Sequence, residues 1–245
     1  MSRNSKAFFE KIVRAGLYSN QRNLHHLLEM VFRDVRCDGR EVLDIGGGAG
    51  LLSFCAVQRG ASRAVLLEPE AAGSTTGVTQ RFEEAAAALA LRERVLLQPV
   101  TFQEFDPQGE TFDLVISRSS INHLDEEACI SLRESPEARS TYLELLHKLR
   151  SMLNPGADVI VCDCSRHNLF AHLGIRNPFA PVIEWHKHQS PYFWAHLFCE
   201  AGFEQPVVRW NTFNSLGTPG RMLLGNQVAS YFLESHFRLS VVNPA

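Results

Sequence analysis

Residues 42–50 read VLDIGGGAG, and they indicate the architecture more directly than any other segment of the chain. Val42 and Leu43 predict a short buried strand, and the glycines that follow allow a turn whose backbone closely approaches a ligand. Residues 49–57 then continue as a predicted helix. We therefore predict a strand, a ligand-binding turn and the start of a helix.

One acid directly follows the next predicted strand. That strand is the apolar run 64–67, and Glu68 comes after it, 24 positions beyond Asp44. In sheets that bind nucleotides, an acid at the end of the second strand accepts hydrogen bonds from the ribose hydroxyls. Glu68 is therefore predicted to bind a ribose.

The spacing of the glycines argues against two common nucleotide-binding motifs. A dinucleotide fingerprint needs glycine, or sometimes alanine, at its sixth position, and counting from Gly46 that position is Leu51. A phosphate-binding P-loop needs Gly-Lys-Ser or Gly-Lys-Thr, and neither occurs in the sequence. A nicotinamide dehydrogenase is disfavoured further because none of the four tyrosines has a lysine four residues later.

The remaining pattern, Gly46-x-Gly48-x-Gly50 preceded by Asp44, resembles motif I of the class I S-adenosylmethionine-dependent methyltransferases. Residues 112–117, which begin Phe-Asp, resemble the fourth strand of that family. Residues 149–156 resemble the helix end that leads into strand five. The resemblance covers residues 40 to 165 well, and it implies an enzyme that methylates a small molecule. We predict a hydroxyl oxygen as the methylated atom, with a nitrogen as the alternative.

The resemblance also implies which residues bind S-adenosylmethionine and release S-adenosylhomocysteine. The glycine turn passes beside the methionine portion, Asp44 orients the ammonium end directly or through water, and Glu68 holds the ribose. Thr101 takes the place of an aspartate that family members often have, and Phe102 either contacts the adenine ring or packs in the core. The predicted cofactor-binding residues are Asp44, Gly46, Gly47, Gly48, Gly50, Glu68, Pro69, Thr101, Phe102 and Ser117.

Methyl transfer to a hydroxyl group usually needs a general base, and histidine is the natural choice near neutral pH. His123 follows strand four at the edge where the methyl group would lie, although it could instead order the loop. His186 and His188 lie in a long connection, 164–190, and alternate around Lys187, so only one of them is expected to face inward. The predicted substrate contacts are Tyr18, Asn122 and Trp185.

No metal is predicted. Catechol-type methyltransferases gather two acids and an amide near the ends of strands four and five, but Asp163 has no second acid at the adjacent positions. The six cysteines lack Cys-x-x-Cys spacing and are interpreted as small buried side chains in a reducing cytoplasm.

The composition fits one globular domain, since 245 residues with 45% hydrophobic side chains can bury a full core. The formal charge of −3 disfavours binding to nucleic acid through phosphate neutralisation, while a local basic patch remains possible. Charged residues interrupt the amino terminus, so neither a signal peptide nor a membrane span is expected there. The expected setting is soluble and cytoplasmic, and the sequence does not indicate an oligomeric state.

Predicted helices and strands alternate, which favours an α/β fold with a mostly parallel sheet covered on both faces. The family resemblance, not the periodicity, implies a Rossmann-like doubly wound sheet in the order 3-2-1-4-5-7-6, with strand seven antiparallel. Residues 219–234 are predicted to form one helical stretch. The chain is expected to form a single methyltransferase domain, 1–245, with an N-terminal helical cap at 1–36 and a substrate-side insertion at 164–190.

Two other functions remain open at the level of sequence. A macromolecular methyltransferase, acting on RNA or protein, often carries Asn-Pro-Pro-Tyr after strand four, where this chain has Ser-Arg-Ser-Ser at 117–120. A noncatalytic domain could keep the cofactor pocket and serve only as a regulatory partner.

Overall fold

The computed structural model describes residues 3–70 and 76–244. The described residues form a seven-stranded sheet in the order 3-2-1-4-5-7-6. Its strands are β1 (Glu41–Ile45), β2 (Arg63–Leu67), β3 (Val95–Gln98), β4 (Phe112–Arg118), β5 (Leu153–Cys164), β6 (Glu204–Trp210) and β7 (His236–Val242). Strands β1 to β5 pair in parallel, and β7 lies antiparallel between β5 and β6. The expected sheet order and the direction of strand seven are confirmed.

Helices cover both faces of this sheet. They are α1 (Arg3–Arg14), α2 (Gln21–Val31), α3 (Leu51–Gln58), α4 (Val78–Leu89), α5 (Glu126–Ser131), α6 (Pro136–Ser151), α7 (Leu169–His172), α8 (Pro191–Glu200), α9 (Gly217–Leu224) and α10 (Gln227–Phe232). Alternate strand residues point to opposite faces, so Val42 packs in the core beneath α1 to α4 and Leu43 in the core beneath α6 and α8. Within the described residues, no helix is both long enough and apolar enough to span a bilayer.

Three predicted boundaries were wrong. The helix after the glycine turn begins at Leu51 rather than Ala49, because Gly50 is left-handed (φ 87°). Pro155 and Gly156 do not end a helix, since α6 has already ended at Ser151 and both residues lie at the irregular start of β5. Residues 219–234 form α9 and α10 instead of one helix, with Gly225 ending the first and the Asn226 side chain capping the second.

The position of β7 brings distant segments to the cofactor edge of the sheet. Because β7 is antiparallel to both neighbours, β6 runs parallel to β5, and Trp210 and Asp163 both pair with Phe237. The carboxyl end of β6 therefore lies at the same edge as the carboxyl ends of β1, β4 and β5. The segment that leaves β6, residues 211–216, begins at that edge.

Candidate functional site

The glycine turn after β1 packs so tightly that side chains would not fit at most of its positions. A Cβ atom on Gly46 would overlap the Ser120 side chain, and one on Gly47 would lie 2.5 Å from the Asp44 carboxylate. A Cβ atom on Gly48 would meet no atom within 4 Å, although its φ of +59° is left-handed. Gly48 is thus the glycine whose missing side chain leaves open space above the turn.

Asp44 lies directly beneath this turn and is fully buried. Its Oδ2 atom accepts a hydrogen bond from Ser53 Oγ at 2.7 Å, while its Oδ1 atom has no partner among the described residues. Burial raises the pKa of Asp44 to about 6, because the interior disfavours the charged form. At neutral pH the site therefore holds a buried negative charge with one unused acceptor.

Glu68 follows β2 and contacts the glycine turn through a hydrogen bond. Its Oε2 atom accepts a hydrogen bond from the backbone N–H of Gly48 at 2.8 Å, and the residue is only 6% exposed. Burial raises the pKa of this carboxyl as well. The predicted ribose acid and the predicted glycine turn are therefore one connected unit.

A cavity of about 740 Å³, called here the cofactor cavity, lies over the glycine turn. This volume is within the range of about 300 to 1,000 Å³ that is common for ligand pockets. Of the predicted cofactor residues, the following line it: Gly46, Gly47, Gly48, Glu68, Pro69, Thr101 and Phe102. Residues that the sequence did not indicate also line it, namely Ala15, Gly16, Leu17, Arg81, Gln103, Arg118, Ser119 and Ser120.

The other predicted cofactor residues lie outside this lining. Asp44 is under the turn, and a Cβ atom on Gly50 would touch the rings of Phe54 and Phe82. Ser117 is buried and forms a 2.8 Å hydrogen bond with Ser120, which does line the cavity.

Thr101 and Phe102 form the wall beyond β3. The Thr101 hydroxyl donates to Glu104 Oε2 at 2.8 Å, so this side chain already has an acceptor nearby. Phe102 is 3% exposed and joins the apolar core while also lining the cofactor cavity. The two interpretations of Phe102 are therefore compatible.

A second cavity, of about 300 Å³, adjoins the first and is called here the acceptor cavity. Arg118 and Ser119 line both cavities, and Ser119 has a left-handed φ of 55°, which is uncommon for a residue other than glycine. Three buried polar atoms on its lining residues have no hydrogen-bond partner within 3–70 and 76–244: Asn23 Oδ1, Asn211 Nδ2 and Thr212 Oγ1. His236 Nδ1, on another lining residue, lies 3.5 Å from Glu234 Oε2. Hydrogen-bond donors and hydrogen-bond acceptors are thus both unsatisfied around this cavity.

Asp163, at the end of β5, lines the acceptor cavity and orients a histidine. His188 Nδ1 lies 3.1 and 3.2 Å from the two Asp163 oxygens, the Asp163 side chain is 0% exposed and the His188 side chain is 12% exposed. His186 is exposed on the other side of the same short 3₁₀ turn, Trp185–Lys187. Of the two histidines that alternate around Lys187, His188 is the one that faces inward.

His123 occupies a different place. It ends the 3₁₀ turn Ile121–His123 and lines the cofactor cavity beside Gln103 and Leu124. Its Nδ1 atom lies 2.9 Å from Glu126 Oε2, and its side chain is 55% exposed. His123 therefore lines the cofactor cavity, whereas His188 lines neither cavity and is connected to the acceptor cavity only through Asp163, which holds it more firmly.

Of the three predicted substrate contacts, only one lines a cavity. Tyr18 lines the acceptor cavity. Asn122 is 1% exposed and Trp185 is partly buried, and neither is among the lining residues of the two cavities.

The long connection at 164–190 does not form the wall of either cavity. Its Asn168 and Asn177 side chains donate to the carbonyl of Leu233, and Lys187 bridges Glu126 and Glu184 at 2.7 Å each. The segment is therefore bound to the 233–235 turn and to α5. The acceptor cavity is lined instead by Tyr18, α2, the ends of β4 and β5, residues 211–213 and 215, and residues 234, 236 and 237. A polar run directly after strand six, Asn211-Thr212, was the available sequence indication.

Across the described residues, no group of three or more histidine, cysteine, aspartate or glutamate side chains is arranged to hold a metal ion.

The sequence and the fold both match known proteins. The sequence model of a family described as "Methyltransferase domain" matches residues 14–207. No curated protein sequence matches the chain significantly.

Solved structures match the fold at low sequence identity. An S-adenosylmethionine-dependent methyltransferase from Mesorhizobium loti aligns at a TM-score of 0.59 with 13% identity, covering 93% of this chain and 99% of the other. One from Aquifex aeolicus aligns at 0.57 with 14% identity, covering 99% of both chains. The pyocyanin biosynthetic protein PhzM aligns at a TM-score of 0.54 with 18% identity. The alignment covers 91% of this chain but only 55% of PhzM. These likenesses show the fold.

Proposed function

The chain belongs to the methyltransferase domain family, and from that premise we propose that it transfers a methyl group from S-adenosylmethionine to a hydroxyl oxygen of a small-molecule acceptor. The observation that carries the proposal is the junction of two cavities at Arg118 and Ser119. One cavity has the features of a nucleoside site, and the other offers unsatisfied polar atoms to a second molecule.

The residues of the cofactor cavity fit this cofactor. Glu68 is placed to accept from ribose hydroxyls, the buried Asp44 charge favours a cationic amino-acid end, and Thr101 and Phe102 form a wall for the base. The unpartnered Oδ1 of Asp44 is the specific observation that supports the fit. When bound, S-adenosylmethionine supplies a methyl group on a positively charged sulfur, which is already activated for transfer.

The acceptor cavity supports a small polar acceptor rather than a macromolecule. Its volume of about 300 Å³ is at the lower end of the range for small-molecule sites. The N-terminal region helps to close both cavities. Residues 15–17, which follow α1, line the first cavity, and Tyr18 lines the second together with Asn23 and Leu27 of α2. These walls would fix the orientation of the acceptor relative to the methyl group, which is the main contribution that methyl transfer requires of the protein.

We assign the general base to His188, oriented by Asp163. A base must be held in one tautomer and direction, and the buried Asp163 carboxylate accepts from His188 Nδ1 in the arrangement that does this. Asp163 lines the acceptor cavity and His188 contacts it from outside that lining, and in this proposal the pair takes up the proton that the acceptor hydroxyl loses on methylation. His123 remains the competing base, because it lines the cofactor cavity.

Substitution of each histidine separates these two assignments. His188→Ala is expected to lower kcat by about 10²- to 10⁴-fold, the usual contribution of a general base, and to leave the affinity for S-adenosylhomocysteine nearly unchanged. His186→Ala, which alters an exposed histidine two residues away, is the matched control and should keep full activity. Retained turnover in His188→Ala together with its loss in His123→Ala would transfer the role to His123.

The function itself is tested by transfer of a labelled methyl group. The protein is incubated with methyl-labelled S-adenosylmethionine and fractionated cell extract, and the label is followed by size. Label in a small-molecule fraction that is stable to acid and base, as a methyl ether is, supports the proposal. Label confined to protein or RNA would contradict the small-molecule assignment.

A further inference from the structure

A third cavity, of about 410 Å³, has an unusual concentration of arginine and is called here the basic cavity. Four arginines line it: Arg33, Arg209, Arg221 and Arg238. It lies beyond the carboxyl end of α2, between the β6–β7 pair and the segment that joins α9 to α10. It is separate from the cofactor cavity but shares Met30 and Asn211 with the acceptor cavity.

Two of these arginines are in direct cross-strand register. Arg209 on β6 pairs with Arg238 on β7, and like charges directly opposite each other destabilise a sheet. Arg238 is 2% exposed, and burial lowers its pKa because the charged form is poorly solvated. Its guanidinium donates to the carbonyls of Val31 and Arg33 and to the hydroxyl of Ser240. Among the described residues it contacts no carboxylate.

The remaining charges do not neutralise the cavity. Asp34 pairs with Arg209 at 2.7 Å, and Glu29 pairs with Arg221 at 2.7 Å. Within 3–70 and 76–244, neither Arg33 nor Arg238 forms an ion pair. The four lining arginines and the two carboxylates that pair with them have a summed formal charge of +2, although the whole chain carries −3.

The unsatisfied polar atoms on the lining residues are all hydrogen-bond donors. Five buried atoms lack a partner within the described part of the chain: Arg209 Nε, Trp210 Nε1, Asn211 Nδ2, Arg221 Nε and an Arg221 terminal nitrogen. Unsatisfied buried donors cost stability, so a ligand that brings only acceptors is favoured here. In this respect the basic cavity differs from the acceptor cavity, where the unsatisfied atoms include hydrogen-bond acceptors as well as donors.

We propose that the basic cavity binds the phosphate group of a small molecule. A phosphate monoester supplies oxygen acceptors alone and carries close to two negative charges at neutral pH, which matches the +2 of the cavity. Guanidinium groups bind phosphate through parallel hydrogen bonds, and several converging arginines are the usual way to recognise it. A carboxylate would satisfy fewer donors and only one of the two charges.

The site is tested with inorganic phosphate as the probe, by calorimetry at constant ionic strength and without the cofactor. Phosphate is expected to bind one to one and at least tenfold more tightly than acetate. Arg33→Gln and Arg209→Gln should each weaken phosphate binding by about tenfold or more, because each removes a charge-assisted hydrogen bond. Arg92→Gln, at an exposed arginine paired with Glu83 elsewhere on the surface, is the control and should bind normally.

The result does not depend on methyl transfer. Absence of phosphate binding, equal binding of acetate, or unchanged affinity in both variants would overturn the phosphate site and leave the methyltransferase assignment standing. Because Arg33 is exposed, its variant is expected to fold even if Arg209→Gln does not. Retained S-adenosylhomocysteine binding in the variants confirms that any loss of phosphate affinity is local.

Discussion

At the scale of single residues, Asp44 governs how the site responds to pH. Its folded-state pKa of about 6 is raised from 3.8, so between these values the folded protein binds a proton that the unfolded chain does not. In the absence of ligand, this group therefore adds stability as the pH falls through that window and removes it as the pH rises. A cationic ligand has the opposite preference, because it favours ionised Asp44.

Because a cationic ligand favours ionised Asp44, the affinity for that ligand is predicted to depend on pH. Binding of S-adenosylhomocysteine should weaken by about tenfold between pH 7 and pH 5, as Asp44 becomes protonated. Glu68 contributes in the same direction, since burial also raises its pKa. In Asp44→Asn the affinity should be lower at pH 7 and should change less with pH. An affinity in the unsubstituted protein that stays constant over this range would show that Asp44 does not face the cationic end.

Glu68 allows a direct test of ribose binding. Glu68→Ala should weaken S-adenosylhomocysteine binding by about 1.5 to 3 kcal/mol, because a charge-assisted hydrogen bond is lost. Glu68→Gln keeps an acceptor for the Gly48 N–H and should show the smaller loss. Glu93→Ala changes an exposed acid on the same half of the sheet and serves as the control. Equal affinity in all three variants would remove Glu68 from the site.

At the scale of elements, two neighbouring positions of the glycine turn need glycine for different reasons, one for lack of space and the other for its backbone conformation. Gly47 lacks space for a methyl group, since a Cβ atom there would lie 2.5 Å from both Asp44 and a Leu66 methyl carbon. Gly48 has space but a left-handed backbone, and its Cβ atom would enter the open region over the turn.

The two alanine variants should therefore fail differently. Gly48→Ala is expected to cost about 1 to 2 kcal/mol of stability, the usual penalty for a left-handed non-glycine residue, and to lose most of its S-adenosylhomocysteine affinity. Gly47→Ala is expected to be destabilised more strongly, through the contact with Asp44. Thermal unfolding and calorimetry on both proteins measure the two effects. Normal cofactor affinity in Gly48→Ala would place the ligand away from this turn.

Elements could be predicted from the sequence where the residues that determine them lie close together in the chain. The β1 strand, the glycine turn and the acid after β2 follow from apolar runs, glycine spacing and one carboxylate, all within about 27 residues. The break between α9 and α10 was also local and was missed, although Gly225-Asn226 is a usual combination of helix end and helix start. The prediction failed there because the apolar periodicity continues across the break.

At the scale of the whole molecule, the acceptor cavity could not be predicted from any one segment. Its walls come from α2, the ends of β4 and β5, and the segments on either side of β7, which are brought together only by the antiparallel insertion of that strand. The length of the 164–190 connection favoured it as a substrate wall, but its asparagines and Lys187 bind it to neighbouring elements instead. The pairing of His188 with Asp163 likewise needs the folded connection.

The fold also distributes charge in a way that composition does not reveal. A chain with a formal charge of −3 places two buried carboxyl groups at the glycine turn and four arginines around the basic cavity. The first arrangement suits a cationic nucleoside and the second suits an anion. The two cavities have no lining residue in common, so the proposed nucleoside and the proposed anion would occupy separate sites.

Calorimetric titration with S-adenosylhomocysteine tests most directly whether the cavity over the glycine turn binds a sulfur-linked adenosine. We expect one site per chain, with a dissociation constant between about 1 μM and 1 mM, as is usual for enzyme ligands. NAD, titrated in parallel, should give no binding heat. Binding of NAD in preference to S-adenosylhomocysteine, or no binding of S-adenosylhomocysteine at millimolar concentration, would contradict the account.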